Sequence, residues 1–137
     1  MSNCSNTLVE ANDRDFPFFR LIGAGLRADT GGAGQFRGGL GFFKSYEILE
    51  DDTKLAFYSD RFHLAPEGLH GGAVGGTGGL TLRRDGSETA LASRGTWELK
   101  RCDVVTVLLG GGAGYGPADA RDPAALVRDL EDGLVTA

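Results

Sequence analysis

Asp60, His63, Glu67 and His70 are spaced three, four and three residues apart. On one helix that spacing would put four potential ligands on a single face and let them hold a cation. Pro66, Gly68, Gly71 and Gly72 interrupt the segment, so no helix is expected there. With no third histidine and no cysteine pair, no metal site is predicted, and both histidines are read as solvated or hydrogen-bonded loop residues. Gly23-Ala24-Gly25-Leu26-Arg27-Ala28 fits G-x-G-x-x-A, the spacing that lets a pyrophosphate rest on a helix N-terminus. The next residues, Asp29-Thr30-Gly31-Gly32-Ala33-Gly34, cannot open a helix, so the match predicts no dinucleotide site. No Gly-Lys pair occurs, which excludes a Walker A loop. Gly110, Gly111, Gly112, Gly114 and Gly116 follow an apolar run and precede a helical pattern, as a phosphate loop would. Residues 117–122 separate them from that helix, and Asp119 and Asp122 would repel an anion, so close backbone packing is the expected role. Cys102 follows Lys100 and Arg101 but precedes Asp103, and reads as a plain thiol at a strand end. No G-x-S-x-G elbow is present.

The elements that must position these residues are set by glycine. Of 23 glycines, 18 fall in residues 31–41, 68–79 and 110–116. Glycine at that density is too costly for helices, so the three stretches are predicted loops. Between them lie apolar pieces at 18–22, 42–49, 54–59, 80–84, 87–92, 97–99 and 103–109, all read as strands. Asp85-Gly86 between two such pieces signals a tight hairpin. The 103–109 piece, Asp-Val-Val-Thr-Val-Leu-Leu, is β-branched and apolar, the best fit to a central strand. Only the C-terminus reads as a helix. Asp122 is a good N-cap, Pro123 suits the first turn, and Gly133 suits the end. Leu126, Leu130 and Leu134, with Val127 beside them, form its expected buried stripe. The predicted fold is mainly β, a compact sandwich or barrel-like domain over residues 16–137 with Gly-rich loops and one C-terminal amphipathic helix. Residues 1–15 form a polar N-terminal arm.

The whole chain bounds the function. It has 137 residues, enough for one domain, and 41% hydrophobic content, enough for one core. Its net charge is −5 and no basic run exceeds a pair, which excludes a nucleic-acid stripe and disfavours anionic membranes. The longest apolar run, 104–109 broken by Thr106, is far too short to cross a bilayer. The N-terminus lacks a basic segment followed by an apolar one, and Cys4 and Cys102 lie far apart, so a cytoplasmic chain with reduced thiols is expected. All eight phenylalanines lie in the first half, more than one small core needs, and a surplus would form a sticky face for another subunit.

Four ordered blocks resemble the hydantoinase B/5-oxoprolinase-type subunits. Asp29-Thr30-Gly31-Gly32-Ala33-Gly34-Gln35-Phe36-Arg37-Gly38-Gly39-Leu40-Gly41 resembles their D-S/T-G-G-A/P-G-x-F-R-G-G-x-G signature. Ser59-Asp60-Arg61 with Pro66, Gly68-Leu69 and Gly71-Gly72 is similar to their S-D-R … P … G-L-x-G-G segment. Residues 99–105 resemble L-x-x-G-D-V-V, and Gly110 to Gly116 with Arg121-Asp122-Pro123 and 129–135 resemble the terminal G-G-G-G-Y-G … R-D-P … D-V-x-x-G-x-V. The sequence departs at Glu67, where the family has Trp, at Cys102, where it has Gly, and at Ala113, the fourth glycine of the terminal loop. Residues 62–65 replace an arginine- and aromatic-rich stretch.

The resemblance is to the C-terminal part of longer subunits, and in length to the small subunit of the acetophenone carboxylases. It implies an accessory subunit in a hetero-oligomer with larger hydantoinase A-like and B-like subunits. It implies ATP and a divalent metal, Mg or Mn, in the complex but none bound by this chain, and no catalytic or metal residue here. Asp60 and Arg61 are the residues expected at a substrate or interface loop. There the guanidinium would hold a carboxylate or phosphate while the aspartate orients it, the competing role being a salt bridge that stiffens the loop. The alternatives are a stand-alone β-sandwich ligand-binding module, or a subunit of a related ATP-dependent hydantoinase or oxoprolinase. The residues do not choose between a ketone, a hydantoin and a lactam, nor between an active site and an interface for the glycine loops.

Overall fold

The computed structural model describes residues 8–136; Cys4 lies outside them. In chain order the elements are α1 (Val9–Asp15), β1 (Phe19–Arg27), β2 (Gly41–Ile48), β3 (Thr53–Tyr58), β4 (Gly79–Arg84), β5 (Ser87–Ala90), β6 (Arg94–Leu99), β7 (Val104–Leu108) and α2 (Pro123–Glu131). A five-stranded antiparallel sheet has the order β1-β2-β7-β4-β5, and a two-stranded sheet pairs β3 with β6. The mainly β sandwich with a C-terminal helix is therefore as expected.

The β-branched strand β7 does sit between two partners. Val105 pairs in register with Tyr46 on one side and Leu82 on the other. The small sheet covers one end of the large one, around buried Ile48, Leu80, Leu99 and Val105, with Leu55, Phe57, Leu82 and Trp97 packed against them. Asp85 and Gly86 both have positive φ, 50° and 78°, as a type I′ hairpin turn requires.

Three local expectations change. Strand β1 continues past Ile22 through Gly23 and Gly25, so the G-x-G-x-x-A match lies in a strand rather than a turn. The two glycines leave room for the Phe43 ring; a Cβ on Gly25 would meet it at 3.0 Å. Residues Val9–Asp15 form a helix where a polar arm is expected; the Phe16 ring stacks on Phe19 at 6.1 Å just after it. Helix α2 is capped as expected, with Ala124 N–H donating to Asp122 Oδ1 at 3.0 Å and Gly133 at φ 66°. Its packing is inverted: Leu126, Val127 and Leu130 are exposed, and Asp129 is the buried residue. The guanidinium groups of Arg37 in the first glycine loop and of Arg121 just before α2 hold the carboxylate in place of the leucines.

Candidate functional site

The three glycine loops come together at one end of the large sheet, where they form a layer of crossing backbones. Gly32 N–H donates to Gly112 O at 2.8 Å, Gly112 N–H to Gly39 O at 2.8 Å, Gly76 N–H to Thr30 O at 2.7 Å, and Gly111 N–H to Gly76 O at 3.0 Å. Ala73 N–H donates to Ala33 O at 2.7 Å and Gly114 N–H to Ala73 O at 2.9 Å. A Cβ on Gly111 would collide with the Thr30 carbonyl, one on Gly114 with Ala33, and one on Gly38 with Gly112. Glycine is needed here because backbone lies against backbone. The close approach expected at an interface or channel is made inside the chain.

The rim of this layer is aromatic. Phe36 and Tyr115 exchange backbone hydrogen bonds of 2.9 and 3.0 Å, and Gly116 N–H donates to Leu69 O at 2.9 Å. Phe36, Leu69 and Tyr115, from three of the four family blocks, therefore meet with their side chains exposed. The exposed His70 ring lies 5.0 Å from Tyr115, edge to face.

Charged residues of the first and terminal blocks are engaged internally. Arg37 Nε and Nη2 donate to the Asp129 carboxylate at 3.0 and 3.2 Å, and Arg121 Nη2 donates to its Oδ2. Hydrogen bonding by Arg37, more than by Arg121, holds the Asp129 carboxyl below the usual carboxylate range, against its burial. Asp29, at φ 59°, accepts from Thr136 N–H at 2.8 Å and Thr136 Oγ1 at 2.7 Å, backbone donor first, and its carboxyl is likewise lowered. These pairs tie the first glycine loop to the C-terminus. Arg37 belongs to the first sequence block and Arg121 and Asp129 to the terminal one, and nothing in their spacing shows that the three meet.

Asp60 and Arg61 do not form the expected unit. Asp60 accepts from Arg94 Nη2 at 2.6 Å, with both side chains more than half exposed. Arg94 also lies over the Tyr58 ring at 4.5 Å. Arg61 is exposed and pairs with no carboxylate among the described residues. His63 N–H donates to the Asp60 carbonyl at 3.4 Å. Among the described residues, no group of three His, Cys, Asp or Glu side chains is placed to hold a metal. Cys102 stands in the turn between β6 and β7 at φ 70°, exposed, and not at a buried strand end.

Seven N–H groups of the glycine loops, those of Gly32, Gly38, Gly76, Gly111, Gly112, Gly114 and Gly116, donate to carbonyls of this chain and are taken up by that packing. The α2 N-terminus is closed by the Asp122 carboxylate.

The feature that sequence reasoning did not foresee is a groove of about 550 Å³ beside the core. Its walls include Phe19, Leu21 and Ala24 of β1, Phe42 and Ile48 of β2, Leu55 of β3, and Val105 and Val107 of β7. Val9 and Asn12 of α1 lie at one end. Its polar groups are Asn12, Lys44, Tyr46, Thr53 and Lys54, and burial pushes the Tyr46 phenol up. The groove arises because the two-stranded sheet is too narrow to cover the five-stranded one. The residues that line the groove include no Asp, Glu, His or Cys.

The model of the family described as hydantoinase B/oxoprolinase matches residues 1–118. The protein MJ0963 of Methanocaldococcus jannaschii is 34% identical over 131 residues, which are 96% of this chain and 23% of that one. The 5-oxoprolinase of Dictyostelium discoideum is 29% identical over 121 residues, 88% of this chain and 9% of its own. Among solved structures, the ATP-dependent caprolactamase from Pseudomonas jessenii has a TM-score of 0.81 at 24% identity, over 93% of this chain and 23% of its own. Nucleotide-free acetone carboxylase has a TM-score of 0.76 at 19% identity, over 86% of this chain and 20% of its own. These two share the fold. The chain thus spans 23% of the length of the archaeal relative and 9% of the length of the oxoprolinase. With four ordered sequence blocks, a matching fold and a family match over most of its length, this chain belongs to the hydantoinase B/oxoprolinase family.

Proposed function

We propose that this chain is the accessory subunit of an ATP-dependent carboxylase complex, an acetophenone carboxylase in which acetophenone, bicarbonate and ATP give benzoylacetate. In this reading it completes a larger hydantoinase B-like subunit, while a hydantoinase A-like subunit handles ATP with Mg or Mn. The observation that carries it is uncovered apolar surface. Ile48, Leu80, Leu99 and Val105 are the buried apolar residues of the core, while the groove, the Phe36–Leu69–Tyr115 rim and the α2 leucines lie open. Open apolar surface on this scale marks a protein interface. Arg61, exposed on its loop, is the residue we place at the substrate or interface contact.

Native mass of the tagged chain from its own cells tests the reading. A complex far above 14.4 kDa containing hydantoinase A- and B-like subunits, with ATP- and bicarbonate-dependent ketone turnover, is expected. Turnover of a hydantoin or lactam by such a complex would move the assignment to a related hydantoinase or oxoprolinase. A stable 14.4 kDa monomer would overturn the reading in favour of a ligand-binding module, since the groove is also of small-molecule size.

A further inference from the structure

We infer that the open edge of β1 and the groove beside it receive one extended, acidic strand of the larger hydantoinase B-like subunit. This inference rests on the accessory-subunit reading and names where and how the partner binds.

Strand β1 is nine residues long and pairs only with β2 among the described strands. Proteins usually guard such an edge with lysine, proline or charge. Here residues 21–26, Leu-Ile-Gly-Ala-Gly-Leu, carry none. The two flanking arginines are engaged within the chain: Arg20, more than half exposed, pairs with Glu47 at 2.7 Å, and Arg27 donates to the carbonyls of Thr77 and Leu109 at 3.0 and 2.6 Å. The edge is therefore a free template of N–H and C=O groups.

The groove begins at the same strand. Leu21 and Ala24 of β1 form part of its wall, so a strand added at the edge would lay alternate side chains over the groove. Its charge selects the partner. Lys44 and Lys54 line the groove, and neither has a carboxylate partner among the described residues. Lys44 lies next to the edge, in register with Ala24, whose small side chain leaves its ammonium accessible from an added strand. Two ammonium groups without a carboxylate among the described residues, that of Lys44 lying 5.7 Å over the Phe42 ring, call for Asp or Glu among apolar residues, against the net charge of −5 of the whole chain. A second copy does not meet that need: β1 reads Phe-Arg-Leu-Ile-Gly-Ala-Gly-Leu-Arg, without a carboxylate, and edge-to-edge pairing would bring like charges together. A helix or a small apolar acid would leave the backbone edge unused.

The test uses the complex purified from its own cells. Amide hydrogen exchange of that complex should show the outward amides of β1 protected and those of the other edge strand, β5, exchanging fast. The double variant Lys44→Glu/Lys54→Glu should retain the larger subunit about tenfold less well, a loss of roughly 1.4 kcal/mol. Arg83→Glu, on the opposite face of the sheet, should retain it as the parent does. If the double variant fails to fold, the exchange pattern alone decides. Fast exchange of the β1 amides within an intact complex overturns the inference and leaves the accessory reading standing. So does a dimer of this chain, or a small organic acid released from the groove. Recovery of the parent chain without any larger subunit overturns the accessory reading itself.

Discussion

Asp103 shows what a buried charge does in this fold. It is 2% exposed and accepts from Arg84 Nε and Nη2 at 2.9 and 2.6 Å and from Lys100 N–H at 2.7 Å. The Arg84 hydrogen bonds hold its carboxyl below the usual range, against the desolvation that would raise it. Asp129 and Asp29 are lowered too. A depressed carboxylate pKa stabilises the fold above the unfolded value, near 3.9, and that stability is lost as pH falls through the folded values. Thermal melts should therefore be flat from about pH 7 to 5 and drop below about pH 4. Asp103→Asn should cost about 2 to 3 kcal/mol at neutral pH in chemical denaturation, and should weaken the acid dependence. Cys102 makes a second residue-scale case. The family places glycine there, and φ of 70° is the left-handed region that penalises a side chain. Cys102→Gly should raise stability by about 0.5 to 1 kcal/mol, the relief of strain less the entropy of the added glycine. No gain in the denaturation midpoint would count against a strained turn.

At the level of elements, the glycine loops pack backbone against backbone, as expected of the terminal one, whereas α2 reverses its expected packing. Glycine-rich loops are commonly open, yet these are among the most closely packed parts of the molecule. Gly114→Ala places a methyl group against the Ala33 carbonyl and should cost about 3 kcal/mol or more. Gly39→Ala, with nothing within 4 Å of its added Cβ, should change stability by less than about 0.5 kcal/mol. Equal effects in a denaturation series would contradict the packed layer. For α2, Leu126→Ser and Leu130→Ser should each cost under about 1 kcal/mol, because both side chains are more than 40% exposed. Asp129→Asn should cost about 2 to 3 kcal/mol by breaking its charged hydrogen bonds. A helix packed through its leucines would show the reverse order in melting experiments. The periodicity of those leucines is real, but periodicity reports which face is apolar and not what that face touches.

For the molecule as a whole, a two-stranded sheet on a five-stranded one leaves part of the large sheet open as the groove. The expectation of recovery in a larger complex belongs to this scale, since the groove, the aromatic rim and the α2 stripe are separate surfaces that a monomer leaves wet. Much of the architecture was legible in advance. The Asp85-Gly86 turn, the β-branched central strand, the Asp122 cap and the Gly133 stop each rest on local backbone preferences, which residue type alone decides. Family membership was legible for a related reason: four blocks in order, three of them marked by glycine, specify a chain path. The helix at Val9–Asp15 and the extension of β1 through two glycines were not, because both depend on aromatic rings supplied by neighbouring elements. The union of Arg37 and Arg121 on Asp129 spans 92 positions at its widest, and the pairing of Asp60 with Arg94 rather than Arg61 spans 34. Sequence by itself determined where the chain is extended, where it turns and which family it joins, because those follow from short-range sterics. Only the tertiary structure decided which charges pair and which apolar face stays open, because those depend on what distant segments bring into contact.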